Sequence, residues 1–144
     1  MAWTTPKTDW NSTSSGGRYT GDYFSYVDFN RIVGNLAVLT DLAGQLYQMT
    51  YTTELPTEKA RTGYPFAADL NSIETRLDEI NSQTINLPIG NKRTFTNNGV
   101  FINATELNRI ESAILALYQP LEDQVGGRKM LRFRLGFPAG SIRD

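Results

Sequence analysis

Residues 28–39 read Asp-Phe-Asn-Arg-Ile-Val-Gly-Asn-Leu-Ala-Val-Leu, and they carry the strongest structural signal in the chain. Here and just beyond, apolar residues recur three and four positions apart, at Phe29, Ile32, Leu36, Leu39, Ala43 and Leu46. Residues with this spacing lie on one narrow stripe of an α-helix. The stretch therefore predicts an amphipathic helix over about residues 26–48.

The same pattern occurs twice more when the chain is aligned on Asn30, Asn71 and Asn108. Each asparagine has an aromatic residue seven positions before it, an acidic residue two before it, and aliphatic residues six and nine after it. Two positions after it stands an isoleucine, namely Ile32, Ile73 and Ile110. The copies stand 41 and 37 residues apart, a spacing typical of internal repeats.

The repeats predict two further helices, over about 67–83 and 104–119. The third should end near Pro120, because proline inside a helix removes a backbone hydrogen bond. The expected fold class is mainly α, with three repeated amphipathic helices whose apolar stripes form heptad seams. A polar residue that recurs beside core positions usually has a hydrogen-bonding partner. We therefore expect each repeat asparagine to bond the backbone of a neighbouring segment.

The connectors, about 49–63 and 84–100, are long for simple helix loops. Fifteen extended residues span about 50 Å, which exceeds the roughly 33 Å of a 22-residue helix. Parallel helices with extended returns are thus allowed, and packing within one chain or between chains stays open. The first connector begins with a strand-like alternation over 50–56, and Asn97-Asn98-Gly99 predicts a small hairpin in the second.

Residues 1–21 are irregular in composition but contain Trp3 and Trp10, the only two tryptophans. Disordered segments are poor in aromatic residues, so we predict an extended N-terminal arm anchored by its two indoles. The arm could bind a neighbouring protein or pack on its own domain, and composition does not distinguish the two. For the first alternative, Trp3 and Trp10 are predicted partner-binding residues.

Gly126-Gly127 is expected to interrupt the chain before a basic tail. Residues 126–144 carry five basic side chains and one acidic side chain. Within them apolar and cationic residues alternate, at Leu131, Arg132, Phe133, Arg134, Leu135 and Phe137. This alternation predicts a β-strand that must pair with this chain or a partner. The expected organisation is an arm over 1–21, a three-repeat helical domain over 22–125 and a basic strand or arm over 126–144.

The chain contains neither histidine nor cysteine, which excludes imidazole and thiolate chemistry. Glu74 and Asp78 share a face of the second helix, but we expect a solvated helix face there, as at Glu122 and Asp123. No phosphate-binding glycine loop is present. We therefore expect no enzyme activity, no cofactor and no metal site.

The balance of charge and the hydropathy bear on partners and location. The formal net charge of −1 argues against a dedicated nucleic-acid binder. No apolar run approaches the length of a transmembrane helix, and residues 1–7 lack the apolar stretch of a signal peptide. We expect a soluble protein made in the cytoplasm.

Three stretches of the chain share a pattern with known proteins. They are Trp3-x-x-Pro6-Lys7-Thr8-Asp9-Trp10, Asp22-Tyr23-Phe24-x-x-x-Asp28-Phe29-Asn30-Arg31-Ile32 and Phe101-x-x-x-x-Glu106-Leu107-Asn108-Arg109-Ile110-Glu111. In them the chain resembles small tail and baseplate structural proteins of tailed bacteriophages of Gram-positive hosts, and of related phage-tail-like particles. The likeness covers residues 3–135. The second repeat departs from it, because Ser72 replaces the arginine that follows Asn30 and Asn108.

The resemblance implies a virion component, assembled in the host cytoplasm, whose partners are other virion structural proteins. The seams and arms favour a symmetric homo-oligomer. An alternative is a fibre-associated protein that binds a receptor or a host cell-surface glycan, suggested by Tyr19, Tyr23, Tyr47 and Tyr51. A third hypothesis is a weak glycosidic enzyme that uses Glu74 or Asp78.

Overall fold

The computed structural model describes residues 3–11, 14–15, 18–19, 24–60, 67–96 and 104–134, and the side chains of these residues outside 14–15, 18–19 and 128–134. The fold is mainly helical, as predicted. Its helices are α1 (Tyr26–Leu46), α2 (Ala67–Gln83) and α3 (Ala104–Arg134). A short antiparallel ribbon joins β1 (Ser14–Ser15) to β2 (Arg18–Tyr19), with Ser14 opposite Tyr19. The ribbon precedes the helices, whereas the predicted hairpin at Asn97–Gly99 lies outside the described residues.

Helix α1 begins and ends where local signals place its boundaries. The backbone N–H of Ser25 donates to Oδ2 of Asp28 at 3.0 Å, which is half of a capping box. Asp28 also lies in the first turn, where the helix dipole favours negative charge. The helix ends at Leu46, because Tyr47 is extended while its N–H still donates to the Ala43 carbonyl.

Helix α3 does not end near Pro120, and that prediction is wrong. The helix continues through Pro120 and Gly126-Gly127 to Arg134. Beyond the proline, Leu121 and Val125 extend the apolar stripe and are buried. A proline inside a helix costs about 3 kcal/mol, whereas each buried Leu or Val contributes about 1.5–3 kcal/mol. Burial of these two side chains offsets the lost hydrogen bond, so the helix continues.

The predicted C-terminal strand is also wrong where the structure describes it. Leu131, Arg132, Phe133 and Arg134 form the end of α3, and Leu135 and Phe137 lie outside the described residues. A strand needs a partner for its backbone groups, whereas a helix satisfies them within one segment. The expected boundary between residues 125 and 126 consequently falls inside a continuous helix.

The three helices lie parallel around one core. Arg31 meets Glu111 near the starts of α1 and α3, and Tyr47 meets Gln124 farther along both. Thr50 contacts Gln83 at the end of α2, while Lys59 bridges Asn30 and Asp69 near the starts of α1 and α2. The helices therefore pack within one chain, which was one of the two alternatives that the sequence left open.

The first connector runs back along α2 as an extended segment. Its backbone is bonded in turn to side chains of α2, with Thr50 on Gln83, Thr52 on Glu79 and Thr53 on Arg76. The strand-like alternation over 50–56 is thus not a strand, because side chains of a helix hold its backbone. Among the described residues, no helix is both long and apolar enough to cross a membrane.

Candidate functional site

Each of the three repeat asparagines holds one residue of an extended segment by its backbone. The amide oxygen accepts from the backbone N–H and the amide nitrogen donates to the C=O of the same residue. The pairs are Asn30 with Lys59 (2.7 and 2.8 Å), Asn71 with Phe95 (2.6 and 2.8 Å) and Asn108 with Trp10 (2.7 and 3.0 Å). The expectation that these asparagines bond the backbone of a neighbouring segment is confirmed. We call each pair an asparagine clamp.

The clamps follow a circular order. Asn30 on α1 holds the segment that precedes α2, and Asn71 on α2 holds the segment that precedes α3. Asn108 on α3 then holds the segment that precedes α1. The first two clamps join residues 29 and 24 positions apart, whereas the third joins residues 98 apart. Contact between the two ends of the described chain therefore closes the circle.

Removing a clamp should destabilise the fold moderately. Asn71→Ala takes both partners from the backbone of Phe95, a residue that is 9% exposed. Since a net hydrogen bond contributes about 0.5–1.5 kcal/mol, we expect a loss of about 1–3 kcal/mol in denaturant unfolding followed by circular dichroism. The control is Asn91→Ala at an exposed position, expected within about 0.5 kcal/mol of wild type. Equal midpoints for the two variants would contradict the clamp's role.

Residues 3–11, which we call the arm, lie between α3 and α1. Asn108 holds Trp10 from α3, and Asn35 on α1 holds Thr4 through bonds of 2.9 and 2.7 Å to its N–H and C=O. The tryptophan rings face the same helices: Trp3 stacks on Tyr118 of α3 with centroids 3.7 Å apart, and Trp10 is 6% exposed in the core. Of the two alternatives for the arm, this structure has it packed on its own domain.

A fully buried carboxylate lies beneath the arm. Glu111 on α3 is 0% exposed and accepts four hydrogen bonds. Arg31 gives two, from Nε at 2.8 Å and Nη2 at 2.7 Å, while Trp10 Nε1 gives one at 2.6 Å and the Lys7 backbone N–H one at 3.0 Å. A buried ion pair is stable only when its remaining hydrogen-bonding sites are filled. The hydrogen bonds that Arg31 donates to Glu111, together with the nearby Asp28, raise the pKa of Arg31 above its ordinary value.

A second buried pair joins α2 and α3. Glu74 is 1% exposed and accepts from Arg109, whose Nε also donates to Glu106 at 3.1 Å. Burial raises the pKa of the Glu74 carboxyl above its ordinary value of 4.5, against the opposing effect of Arg109. The predicted solvated face is therefore wrong for Glu74, because an arginine from another helix makes its burial tolerable. Asp78, Glu122 and Asp123 are exposed as expected.

The raised pKa of Glu74 leads to a pH-dependent prediction. Since the folded chain binds this proton more tightly than the unfolded chain, wild type loses stability as pH rises from about 4.5 through the folded pKa. Glu74→Gln does not titrate, so it should gain stability relative to wild type over that window. Urea unfolding at a series of pH values measures the difference. Glu122→Gln, at an exposed position, should track wild type, and a Glu74→Gln variant that does so too would refute the prediction.

The third place in the circle, between α1 and α2, lacks the arginine–glutamate pair found at the other two. The arginine is one position after Asn30 and Asn108, and the glutamate three positions after Asn71 and Asn108. Between α2 and α1, Ser72 stands where the other repeats have the arginine, and the buried Val33 stands where they have the glutamate. Both partners are replaced together, so neither charge is left alone in the core. Here Asp69 pairs instead with Lys59 at 3.2 Å.

The other predicted residues divide between the core and undescribed parts of the chain. Ile32, Ile73 and Ile110 are each 1% exposed in the core. The side chains of Leu131, Arg132, Phe133 and Arg134, and those of Tyr19 and Tyr23, are outside the description. The Tyr47 hydroxyl donates to Gln124, and the Arg76 guanidinium lies 4.0 Å from the centre of the Tyr51 ring. These two tyrosines are thus engaged within the chain.

Sequence reasoning missed the roles of Asn35, Glu74 and Glu111. The signal was present, because arginine and glutamate recur at fixed positions after the repeat asparagines. This signal predicts the ion pairs only when the arginine of each repeat is matched with the glutamate of the repeat before it, the third repeat being counted as the one before the first. Arg31 of the first repeat meets Glu111 of the third, and Arg109 of the third meets Glu74 of the second.

The buried carboxylates Glu74 and Glu111 serve the packing of the helices. Both are bound to arginines. Among the described residues, no group of three or more histidine, cysteine, aspartate or glutamate side chains could hold a metal ion.

The chain was compared with protein-family models, curated proteins and solved structures, and it matches none of them. The arm, the groove between α1 and α3, and the clamp that joins them form the candidate functional site.

Proposed function

We propose that the chain is a structural subunit of a phage tail or baseplate, or of a related tail-like particle, where it assembles with neighbouring subunits. The first support is the resemblance of three stretches to small virion proteins. The second is the observation that carries the proposal: those stretches meet in one buried site. Trp10 from the first, Arg31 from the second, and Asn108 and Glu111 from the third are bonded to one another.

The chemistry of that site suits a structural role. Its charged side chains neutralise each other, and its asparagines hold the backbone of an extended segment. A groove that recognises an extended segment by main-chain bonds and side-chain pockets is a common means of joining polypeptides. The residues that carry the resemblance are thus those that join one part of this polypeptide to another.

Particle composition tests the proposal. Phage or tail-like particles would be purified from a bacterial culture that produces the chain. They would be analysed by quantitative mass spectrometry and by immunogold electron microscopy with antibodies to the purified chain. We expect a fixed copy number per particle and labelling at the tail or its tip. A chain that stays in the soluble fraction and is absent from the particles would overturn the proposal. A glycan array on the same protein tests the alternative role in host recognition.

A further inference from the structure

The third clamp differs from the other two in how the chain connects its partners. In the first two, the segment follows directly from the helix that clamps it. In the third, the arm is bonded to α3 through residues 98–104 positions away, so no short connection holds them together. The link from Trp10 to α1 is residues 11–25, which include the β1–β2 ribbon and can span up to about 50 Å if that ribbon opens. It is also longer than its counterparts, since Trp10 stands 20 positions before Asn30, whereas Lys59 and Phe95 stand 12 and 13 before Asn71 and Asn108.

The described contacts of the arm come from α1, α3 and Phe24, which stands just before α1 and packs near Trp10. The groove's polar contacts come from Asn108 and Glu111 on α3 and from Asn35 on α1, and its stacking surface is Tyr118. An identical arm from a second copy would therefore meet the same donors, acceptors and ring. Exchange of an identical element between copies keeps every contact between the arm and the groove, and its main cost is the entropy of association.

We propose that the arm exchanges between copies, so that residues 3–11 of one copy dock in the α1–α3 groove of a second copy. This inference rests on the proposed function, for which it supplies the contact between subunits. The occupant is specified by the groove: an indole N–H for Glu111, a second aromatic ring for Tyr118, and a backbone N–H and C=O for Asn35, at the spacing of Trp10, Trp3 and Thr4. The arm of this chain has all three.

Two full-length variants with complementary defects test the exchange. The acceptor is Trp3→Ala/Trp10→Ala, which keeps the groove, loses both anchors and contains no tryptophan. The donor is Asn108→Ala/Glu111→Gln, which keeps the arm but loses the clamp and the buried carboxylate. We expect the mixture to form a species with one chain of each, seen by native mass spectrometry. The donor's tryptophan emission should shift to shorter wavelength as Trp10 enters the acceptor's groove. An acceptor that also carries Asn108→Ala is the control and should give neither signal.

The wild-type chain provides a second measurement, in which the appearance of mixed dimers does not depend on the folding of any variant. Unlabelled and isotope-labelled chains are unfolded, mixed and refolded together at high concentration, and their masses are measured under native conditions. We expect two-chain species with mixed labels, and their loss when both chains carry Trp3→Ala/Trp10→Ala. Single chains at every concentration, or mixed dimers that persist without the tryptophans, would overturn the inference.

The outcomes of the two sets of experiments separate the two proposals. Arm exchange by a chain that is absent from purified particles would refute the proposed function alone. A chain that is a stoichiometric part of the particle but never exchanges its arm in the mixing and refolding experiments would refute the exchange alone.

Discussion

Glu111→Gln should lower the free energy of unfolding by about 3–5 kcal/mol, because it removes one partner of a buried ion pair. Glu111 is 0% exposed, and each of its two oxygens accepts two hydrogen bonds. The glutamine keeps the size of the side chain, but its NH₂ group faces donors and its charge is gone. The Arg31 guanidinium, whose side chain is 13% exposed, would then have Asp28 as its remaining charged partner.

Guanidinium unfolding followed by far-UV circular dichroism measures this effect. The control is Glu122→Gln on the same helix, at an exposed position, expected within about 0.5 kcal/mol of wild type. Arg31→Lys provides an independent check, since lysine keeps the charge but cannot make the two parallel bonds of the guanidinium. If Glu111→Gln unfolded at the same denaturant concentration as Glu122→Gln, the buried pair would have no structural importance.

Trp10→Ala should cost about 3–5 kcal/mol, the range for truncating a large buried aromatic side chain. The indole is 6% exposed, it packs near Phe24 with ring centroids 6.1 Å apart, and its N–H donates to Glu111. The change leaves a cavity in the core and removes one of the four donors to a buried carboxylate. Trp3→Ala should cost less, because Trp3 is only partly buried and its main contact is the stack on Tyr118.

The remaining tryptophan reports where the arm is. In Trp10→Ala the emission comes from Trp3 alone, so release of the arm from its groove would shift the emission to longer wavelength. We expect that shift at denaturant concentrations below the loss of helix content. A Trp10→Ala variant as stable as Trp3→Ala would contradict the assignment of Trp10 as the main anchor.

The helices could be predicted because their signal is local. Helix α2 covers 67–83, as the apolar spacing and the repeat alignment indicated, and α1 ends at Leu46, two residues before the predicted end. Each stripe of residues three and four apart becomes the buried face of its helix. The end of α3 could not be predicted, because whether Pro120 ends a helix depends on what Leu121 and Val125 pack against.

The repeat asparagines show how far a polar pattern can be interpreted. Their recurrence beside core positions indicated a backbone partner, and Asn30, Asn71 and Asn108 each have one. The identity of the partners was not accessible, because they lie 24–98 positions away in segments without any periodic signal. The burial of Glu74 was misjudged for a related reason, since its arginine comes from a different helix.

Spacing along the chain was sufficient to establish three amphipathic helices and to predict that their asparagines have hydrogen-bonding partners. Composition was sufficient to exclude histidine and cysteine chemistry. Folding in three dimensions settled which arginine meets which glutamate, and that the arm lies in the groove between α1 and α3. The two kinds of feature differ in the distance along the chain between the residues that stabilise them. A helix stripe follows from the geometry of one turn, whereas a buried charge or an extended arm is stable only through donors and acceptors that distant segments bring to it.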